Sequence, residues 1–172
     1  MMKKILLIVA PEGFRDEEAL VPKQAFQDQG FHVDVGSVGV HIAQGKLGAQ
    51  LAVDKDLVSL SIEAYDCIAI TGGPGAVMLR EHPCMHELLQ SAYKQGKLLA
   101  AICLGPTILA KAGVLSGKQA TVWNGNGQEA KRLEEGGATF VDKDVVIDEL
   151  LITGNGPDAS AAWANAIINA LA

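Results

Sequence analysis

Short apolar runs alternate with segments of helical periodicity along almost the whole chain, and this alternation constrains the fold more than any other feature. Several runs are made up almost entirely of consecutive Ile, Leu, Val and Ala residues, as expected of strands that are covered on both faces in a parallel sheet. The runs predicted to be strands are Lys3–Ala10, His32–Ser37, Cys67–Thr71, Leu98–Ile102, Ala120–Val122 and Leu150–Thr153. Repeated strand–helix–strand units predict an α/β protein.

The segments between these runs carry helix signals. One helix is predicted to begin at Pro83, another to span Gln128–Glu135, and a C-terminal amphipathic helix has Asp158 as its predicted N-cap. Gly39–Val53 is rich in glycine and alternates in polarity, which predicts a β-hairpin. The whole pattern predicts a three-layer α/β/α sandwich with a mostly parallel, flavodoxin-like central sheet and a small hairpin excursion, in a single domain over residues 1–172.

Composition excludes several classes of partner. The net charge is −6 and the Lys and Arg residues are scattered, so nucleic acid is not expected as a partner. No apolar run approaches the ~20 residues of a membrane span, and Ile5–Ala10 is predicted to be a first strand rather than part of a signal peptide. Three cysteines, an odd number without close paired spacing, argue against a disulfide scaffold. We therefore expect a cytoplasmic protein with reduced thiols and no membrane partner.

Cys103 lies between a predicted buried strand that ends at Ile102 and a predicted helix whose first turn suits Pro106. The geometry resembles the nucleophile elbow of hydrolases, although their G-x-S-x-G pattern is absent. Backbone N–H groups and a helix end aimed at the sulfur favour the thiolate and are expected to lower the thiol pKa. The alternative interpretation is a buried structural cysteine.

A second loop, Thr71–Gly75, also follows a predicted buried strand. It lacks the Gly-Lys-Ser/Thr sequence of a phosphate-binding P-loop. In one interpretation the N–H groups of Gly72 and Gly73 stabilise an oxyanion formed beside Cys103. In the other interpretation the segment is a simple turn.

The acidic run Asp16-Glu17-Glu18 begins a predicted helix, where negative charge is favoured by the helix dipole. Pro22 has no N–H to bond the carbonyl of Glu18, so we expect a bend that turns Glu18 inward. Asp16 and Glu17 are expected to stay solvated. Because a buried carboxyl group is readily protonated, Glu18 is predicted to donate a hydrogen bond to a thiolate or to exchange a proton with a substrate.

Together these residues resemble the ThiJ/PfpI superfamily, relatives of the parkinsonism-associated deglycase and of the PfpI intracellular protease. The resemblance spans essentially the whole chain, and its motifs are Ala101-Ile102-Cys103-x-Gly105-Pro106, Gly13-Phe14-x-Asp16-x-Glu18-x-x-x-Pro22, Gly72-Gly73-Pro74-Gly75 and Thr153-Gly154-x-Gly156-Pro157. It implies that Cys103 is a nucleophile and an oxidation-sensitive thiol, and that Glu18 is a protonated acid beside the sulfur. It also implies an oxyanion site formed by the amides of Gly72, Gly73 and Leu104. A homodimer or higher homo-oligomer without a metal or organic cofactor is implied as well.

The chain departs from the family pattern at three places. Protease-like members carry His after the cysteine, where this chain has Leu104. Members of the deglycase branch supply a His from the strand after the elbow helix, where this chain has Trp123 followed by Asn124. An Arg that is frequent in the C-terminal motif is replaced by Asn155. Trp123, Asn124 and Asn155 are therefore candidate residues of the substrate pocket, and ordinary core or dimer packing is the alternative for Trp123.

The histidines do not replace the missing one. His82 and His86 flank Cys84 and suggest a metal site, but Pro83 and the apolar stripe that follows fit an N-cap and an exposed helix face better. No metal is expected.

Several functions are compatible with these residues. The first is a stress-response enzyme that acts on small reactive carbonyl compounds, of the glyoxalase or deglycase type, because this chemistry needs a thiolate and a carboxyl group but not strictly a His. The second is a non-enzymatic redox sensor or chaperone-like protein that works through oxidation of Cys103. The third is a cysteine peptidase or amidase, which Leu104 disfavours. A different small-molecule hydrolase or lyase is the fourth, because Trp123 would add an apolar pocket wall.

Overall fold

The computed structural model describes residues 1–172. In chain order its strands are β1 (Lys4–Ile8), β2 (Glu12–Phe14), β3 (His32–Ser37), β4 (Ile42–Gly45), β5 (Gln50–Ala52), β6 (Lys55–Asp56), β7 (Cys67–Ile70), β8 (Leu98–Ile102), β9 (Gln119–Ala120), β10 (Thr139–Phe140), β11 (Val145–Asp148) and β12 (Leu151–Gly154). Its α-helices are α1 (Asp16–Asp28), α2 (Ala76–Glu81), α3 (Pro83–Lys94), α4 (Gly105–Lys111), α5 (Glu129–Glu135) and α6 (Ser160–Leu171). None of the helices has the length and apolar character needed to cross a membrane.

The central sheet contains seven strands in the order β11-β12-β8-β7-β1-β3-β6. All neighbouring pairs are parallel except β11 with β12. The series β3-β1-β7-β8-β12 has the flavodoxin-like order, which confirms the predicted topology. In this register Ile102 pairs with Gly154, and Ile70 pairs with Ala101. The carboxyl ends of β7, β8 and β12 therefore lie side by side at one edge of the sheet.

Helices form a layer on each side of the sheet. Helix α1 packs against α6, which also contacts β8, β11 and β12. In the other layer α3 and α4 pack against each other and against β8, with α2 and α5 next to α4. The side chains of Ile5–Val9 are completely buried between the layers, and burial of each large apolar side chain stabilises the fold by about 1.5–3 kcal/mol.

The predicted hairpin is confirmed, since β4 and β5 pair in antiparallel fashion. Through β4 the hairpin also pairs with β2, in a three-stranded sheet separate from the central one. The helix predicted to begin at Pro83 does so as α3, and the predicted helix Gln128–Glu135 agrees with α5. The hairpin lies against the N-terminal end of α1, which matters for the site.

Two sequence predictions were wrong. The run Ala120–Val122 does not join the central sheet, because Gln119–Ala120 pairs with Thr139–Phe140 and the Thr121 N–H donates to the Thr153 hydroxyl instead of a backbone carbonyl. Asp158 does not cap the C-terminal helix. It lies in a 3-10 turn, so that Ala159 occupies the N-cap position and no side chain caps α6.

Candidate active site

Cys103 occupies a strained turn between β8 and α4, as the sequence predicted. Its φ angle of 61° lies in the left-handed region, which costs a residue with a side chain about 1–2 kcal/mol. Hydrogen bonds hold the residue on both sides: its N–H donates to the Gly154 carbonyl at 2.9 Å, and its carbonyl accepts from the Trp123 N–H at 2.9 Å. The surrounding structure therefore fixes a conformation that the residue would not adopt by itself.

The loop after β7 packs directly against this elbow, and its second and third positions, Gly72 and Gly73, require glycine. A Cβ atom on Gly72 would lie 2.6 Å from the Cβ of Cys103 and 2.7 Å from the nitrogen of Leu104. Gly73 has a φ angle of 90°, and its Cβ would clash with the backbone of Arg15. This close packing brings the N–H groups of Gly73 and Leu104 within hydrogen-bonding reach of the Cys103 sulfur, where they lower the thiol pKa.

Glu18 is fully buried in the first turn of α1, in agreement with the prediction that it turns inward. Its Oε2 atom accepts a hydrogen bond of 2.7 Å from the Gly72 N–H. Its Oε1 atom is buried without a hydrogen-bond partner, and the Cys103 thiol lies close enough for the two groups to perturb each other's pKa. Burial raises the pKa of Glu18 to about 7, although the Gly72 N–H and Cys103 act in the opposite direction.

This hydrogen bond corrects the role predicted for Gly72. Its N–H is engaged by Glu18, so it is not free to bind an oxyanion formed on a substrate. The free donors that face the sulfur are the N–H groups of Gly73 and Leu104. Gly72 instead positions the buried carboxyl group, and because it has no side chain it leaves space for the elbow at Cys103.

The thiol pKa also differs from the expectation of a thiol acidified by the elbow alone. Burial, and after it the negative charge of Glu18, raise the pKa of Cys103 to about 12, and the N–H groups of Gly73 and Leu104 only partly oppose this rise. Because Glu18 and Cys103 shift each other's pKa, the two groups titrate as a coupled pair, and the pair loses its first proton near pH 7. When Glu18 is protonated, it carries no negative charge that would oppose ionisation of the Cys103 thiol. The two N–H groups then favour the thiolate.

Cys103 opens onto a cleft of about 260 Å³. The cleft is lined by Arg15, Lys46, Gly73, Pro74, Cys103, Leu104, Trp123 and Pro157. Trp123 thus forms a wall of the cleft, as one of its two interpretations predicted, and 39 % of its surface remains exposed. No histidine lines the cleft.

Asn124 and Asn155 are not brought to this cleft. Both line a neighbouring pocket that shares only Trp123 with it. The Asn124 side chain accepts a hydrogen bond from the Ala130 N–H at 3.0 Å, and that of Asn155 donates to Asp144 at 3.3 Å. Their role in substrate binding stays a prediction, and their observed contacts are structural.

Arg15 and Lys46 line the cleft but were not among the residues predicted for it. Arg15 lies within the motif that contains Glu18, and this position was an available signal. Lys46 lies in the hairpin, and no local pattern connects it with Cys103. It reaches the cleft because its N–H donates to the Phe14 carbonyl at 2.8 Å and so ties the hairpin to the end of β2, next to the start of α1.

Asp16 was expected to be solvated, and the structure shows that it is buried. Its carboxylate accepts hydrogen bonds from the N–H groups of Leu47 and Ala49, at 2.9 and 2.8 Å. Satisfying two backbone donors of the hairpin turn compensates for the loss of solvent. Glu17 remains partly exposed and pairs with Arg15.

The remaining candidate residues have structural roles. His82 caps α3 by accepting a hydrogen bond from the Cys84 N–H at 3.3 Å, and His86 Nε2 lies 2.7 Å from the Arg80 carbonyl oxygen. The structure brings together no group of three or more His, Cys, Asp or Glu side chains suited to a metal ion. Burial raises the pKa of both Cys67 and Cys84.

Comparisons with known proteins agree with this geometry. A family model described as the DJ-1/PfpI family matches residues 3–170. An uncharacterized protein of Methanocaldococcus jannaschii is 35% identical over 169 residues, which cover 98% of this chain and 82% of the relative. The glutathione-independent glyoxalase DJR-1.2 of Caenorhabditis elegans is 30% identical over 169 residues, covering 98% and 89%. The deglycase PfpI of Pyrococcus furiosus is 28% identical over 168 residues, covering 98% and 99%.

Solved structures show the same fold. A ThiJ/PfpI domain protein from Brachyspira murdochii superposes with a TM-score of 0.93 at 28% identity, covering 99% of this chain and 96% of that one. DJ-1beta of Drosophila melanogaster superposes with a TM-score of 0.90 at 32% identity, covering 100% and 91%.

The fold and the site define an α/β protein with a cysteine at a nucleophile elbow and a buried glutamate beside it. Because the family model matches nearly the whole chain and relatives at 30% identity or more cover it almost completely, the chain belongs to the DJ-1/PfpI family.

Proposed function

We propose that this protein is a cysteine-dependent enzyme that acts on small reactive carbonyl compounds, of the glyoxalase or deglycase type. The observation that carries the proposal is the pairing of Cys103, on a strained elbow beside a cleft, with the fully buried Glu18. Glu18 has a pKa near 7, so it can both donate and accept a proton at neutral pH. The names of two relatives, a glyoxalase and a deglycase, support the same class of chemistry.

With methylglyoxal as the substrate, the first step is addition. The Cys103 thiolate attacks the aldehyde carbon, a C–S bond forms, and the electron pair of the C=O π bond moves to oxygen. The N–H groups of Gly73 and Leu104 stabilise this oxyanion. The oxyanion takes the proton of Glu18, which gives a hemithioacetal and an ionised Glu18.

The second step is an internal oxidation and reduction. Ionised Glu18 accepts the proton of the former aldehyde carbon and returns it to the neighbouring ketone carbon, while the hydroxyl proton passes to the ketone oxygen. The aldehyde carbon is thereby oxidised and the ketone carbon reduced, and the product is a thioester of lactate. Water hydrolyses the thioester to lactate and the free thiol, so that no external oxidant takes part.

The test is lactate formation from methylglyoxal by the purified protein. Cys103→Ser is expected to reduce the rate to that of the buffer, whereas the matched variant Cys84→Ser keeps the wild-type rate because Cys84 lies outside the cleft. Glu18→Gln is expected to lower kcat by about 10²-fold or more, since it can no longer transfer a proton. Equal lactate formation by wild type and Cys103→Ser would refute the proposal.

A redox-sensing role is the second candidate, and the unpartnered Oε1 atom of Glu18 favours it. A protonated Glu18 would donate a hydrogen bond to a sulfinate formed on Cys103 and so stabilise that oxidation state. A peptidase or amidase function is not proposed, because Leu104 follows the cysteine and no histidine lines the cleft to act as the base.

A further inference from the structure

The cleft beside Cys103 has two cationic side chains in its walls, Arg15 and Lys46, and no acidic one. This is notable in a chain with a net charge of −6. The proposed mechanism uses the sulfur, the Glu18 carboxyl group and two backbone N–H groups. It gives neither cation a role.

The two cations differ in how far their charges are compensated. The Arg15 guanidinium donates to both carboxylate oxygens of Glu17, at 2.8 and 3.1 Å, so its charge is largely paired. Lys46 is exposed and has no acidic side chain within 4.0 Å of its Nζ atom. Lys46 is therefore the cation in the cleft wall that is available to a ligand.

The backbone of Lys46 is fixed even though its side chain is free. Its own N–H donates to the Phe14 carbonyl, and the next residue, Leu47, donates to the buried carboxylate of Asp16. Gly45, the preceding residue, packs so tightly against Asp16 that a Cβ atom there would overlap the carboxylate. The chain thus holds this lysine at the cleft through contacts with β2 and with α1, the helix that carries Glu18.

We propose that Lys46 is a specificity-determining residue that recognises an anionic group, a carboxylate or a phosphate, on the compound that reacts with Cys103. The inference rests on the proposed function only in taking the Cys103 sulfur as the atom that reacts with the compound. The N–H groups of Gly73 and Leu104 are assigned to the oxygen of the attacked carbonyl, and Trp123 offers an apolar wall. Lys46 is then available to bind a second, charged group of the substrate. Neutral methylglyoxal does not have such a group.

The test compares alkylation of Cys103 by iodoacetate, which is anionic, and by iodoacetamide, which is neutral. In both reactions the thiolate displaces iodide and forms a C–S bond, so the ratio of the two rate constants cancels any change in thiol pKa. Cys103 alkylation is followed by mass spectrometry of the peptide. Lys46→Gln is expected to lower the iodoacetate to iodoacetamide ratio by about fivefold, the effect of removing one unit charge a few ångströms away.

Two further variants give the result its meaning. Lys46→Arg is expected to restore the ratio, and Lys131→Gln is expected to leave it unchanged, since Lys131 is an exposed residue of α5 outside the cleft. High salt should reduce the wild-type ratio towards that of Lys46→Gln. An unchanged ratio in Lys46→Gln, or an equal fall in Lys131→Gln, overturns the proposal.

Acetate and inorganic phosphate then distinguish the two kinds of anionic group. Whichever ion slows alkylation of wild-type Cys103 by iodoacetamide, but not that of Lys46→Gln, identifies the group that Lys46 binds. Protection by neither ion overturns the proposal. These measurements do not need turnover, so absence of lactate formation would contradict the proposed function and leave the inference about Lys46 open to its own test.

Discussion

Replacing Glu18 with glutamine keeps the shape of the side chain and removes its ability to ionise. In the folded protein burial raises the pKa of Glu18 from 4.5 to about 7. Because the folded state holds this proton more tightly than the unfolded chain, the group stabilises the fold below pH 4.5, and that contribution is lost as the pH rises to 7. At roughly 1.4 kcal/mol per pH unit, the loss amounts to about 3 kcal/mol.

The Glu18→Gln variant has no ionisable group at this position and keeps an amide oxygen to accept from the Gly72 N–H. We therefore expect its free energy of unfolding, relative to wild type, to increase by about 3 kcal/mol between pH 4.5 and 8. Urea unfolding at several pH values measures the difference. The control is Glu17→Gln, because the hydrogen bond from Arg15 lowers the pKa of Glu17, so that its contribution changes only below pH 4.5 and its difference from wild type stays nearly constant over this range. A constant difference between wild type and Glu18→Gln across this range would refute the reasoning.

Three other predictions concern the packing and reactivity of the site. Gly72→Ala, whose Cβ would lie 2.6 Å from that of Cys103, is expected to destabilise the protein by about 1–3 kcal/mol in thermal unfolding, and an unchanged Tm would contradict the close packing. Asp16→Ala should cost about 1–2 kcal/mol and accelerate hydrogen exchange at the N–H groups of Leu47 and Ala49, while protection as in wild type would show that the carboxylate does not hold the hairpin. Mild peroxide should add two oxygens to Cys103 but not to Cys67 or Cys84, because the N–H groups of Gly73 and Leu104 favour the Cys103 thiolate, whereas burial and nearby carboxylates raise the pKa of the other two thiols. Equal oxidation of all three, seen by mass spectrometry, would argue against a specialised thiol.

The features that were predicted correctly are those that short stretches of consecutive residues specify. A buried strand, one small-residue turn and a helix with Pro106 in its first turn specify the elbow at Cys103, and the structure places them in that order. The glycines after β7 and the inward turn of Glu18 were likewise predictable. Strand order followed from repeated strand–helix–strand units, whose crossovers have one favoured hand.

The features that were missed depend on contacts between distant parts of the chain. The Gly72 N–H binds a carboxylate that lies 54 residues away, and Asp16 is satisfied by N–H groups 31 and 33 residues away. The position of Lys46 follows from the same hairpin contacts. The direction of the Cys103 pKa was also missed, because burial is set by every element packed around the sulfur, whereas the elbow pattern reveals only the favourable N–H groups.

The pH dependence of Cys103 alkylation by iodoacetamide tests most directly whether the thiol and Glu18 share one proton. The account predicts that the wild-type rate rises through about pH 7, where the pair loses its first proton, and that this inflection disappears in Glu18→Gln. A wild-type profile with one inflection near the ordinary thiol value of about 8.5, repeated unchanged in Glu18→Gln, would contradict the account.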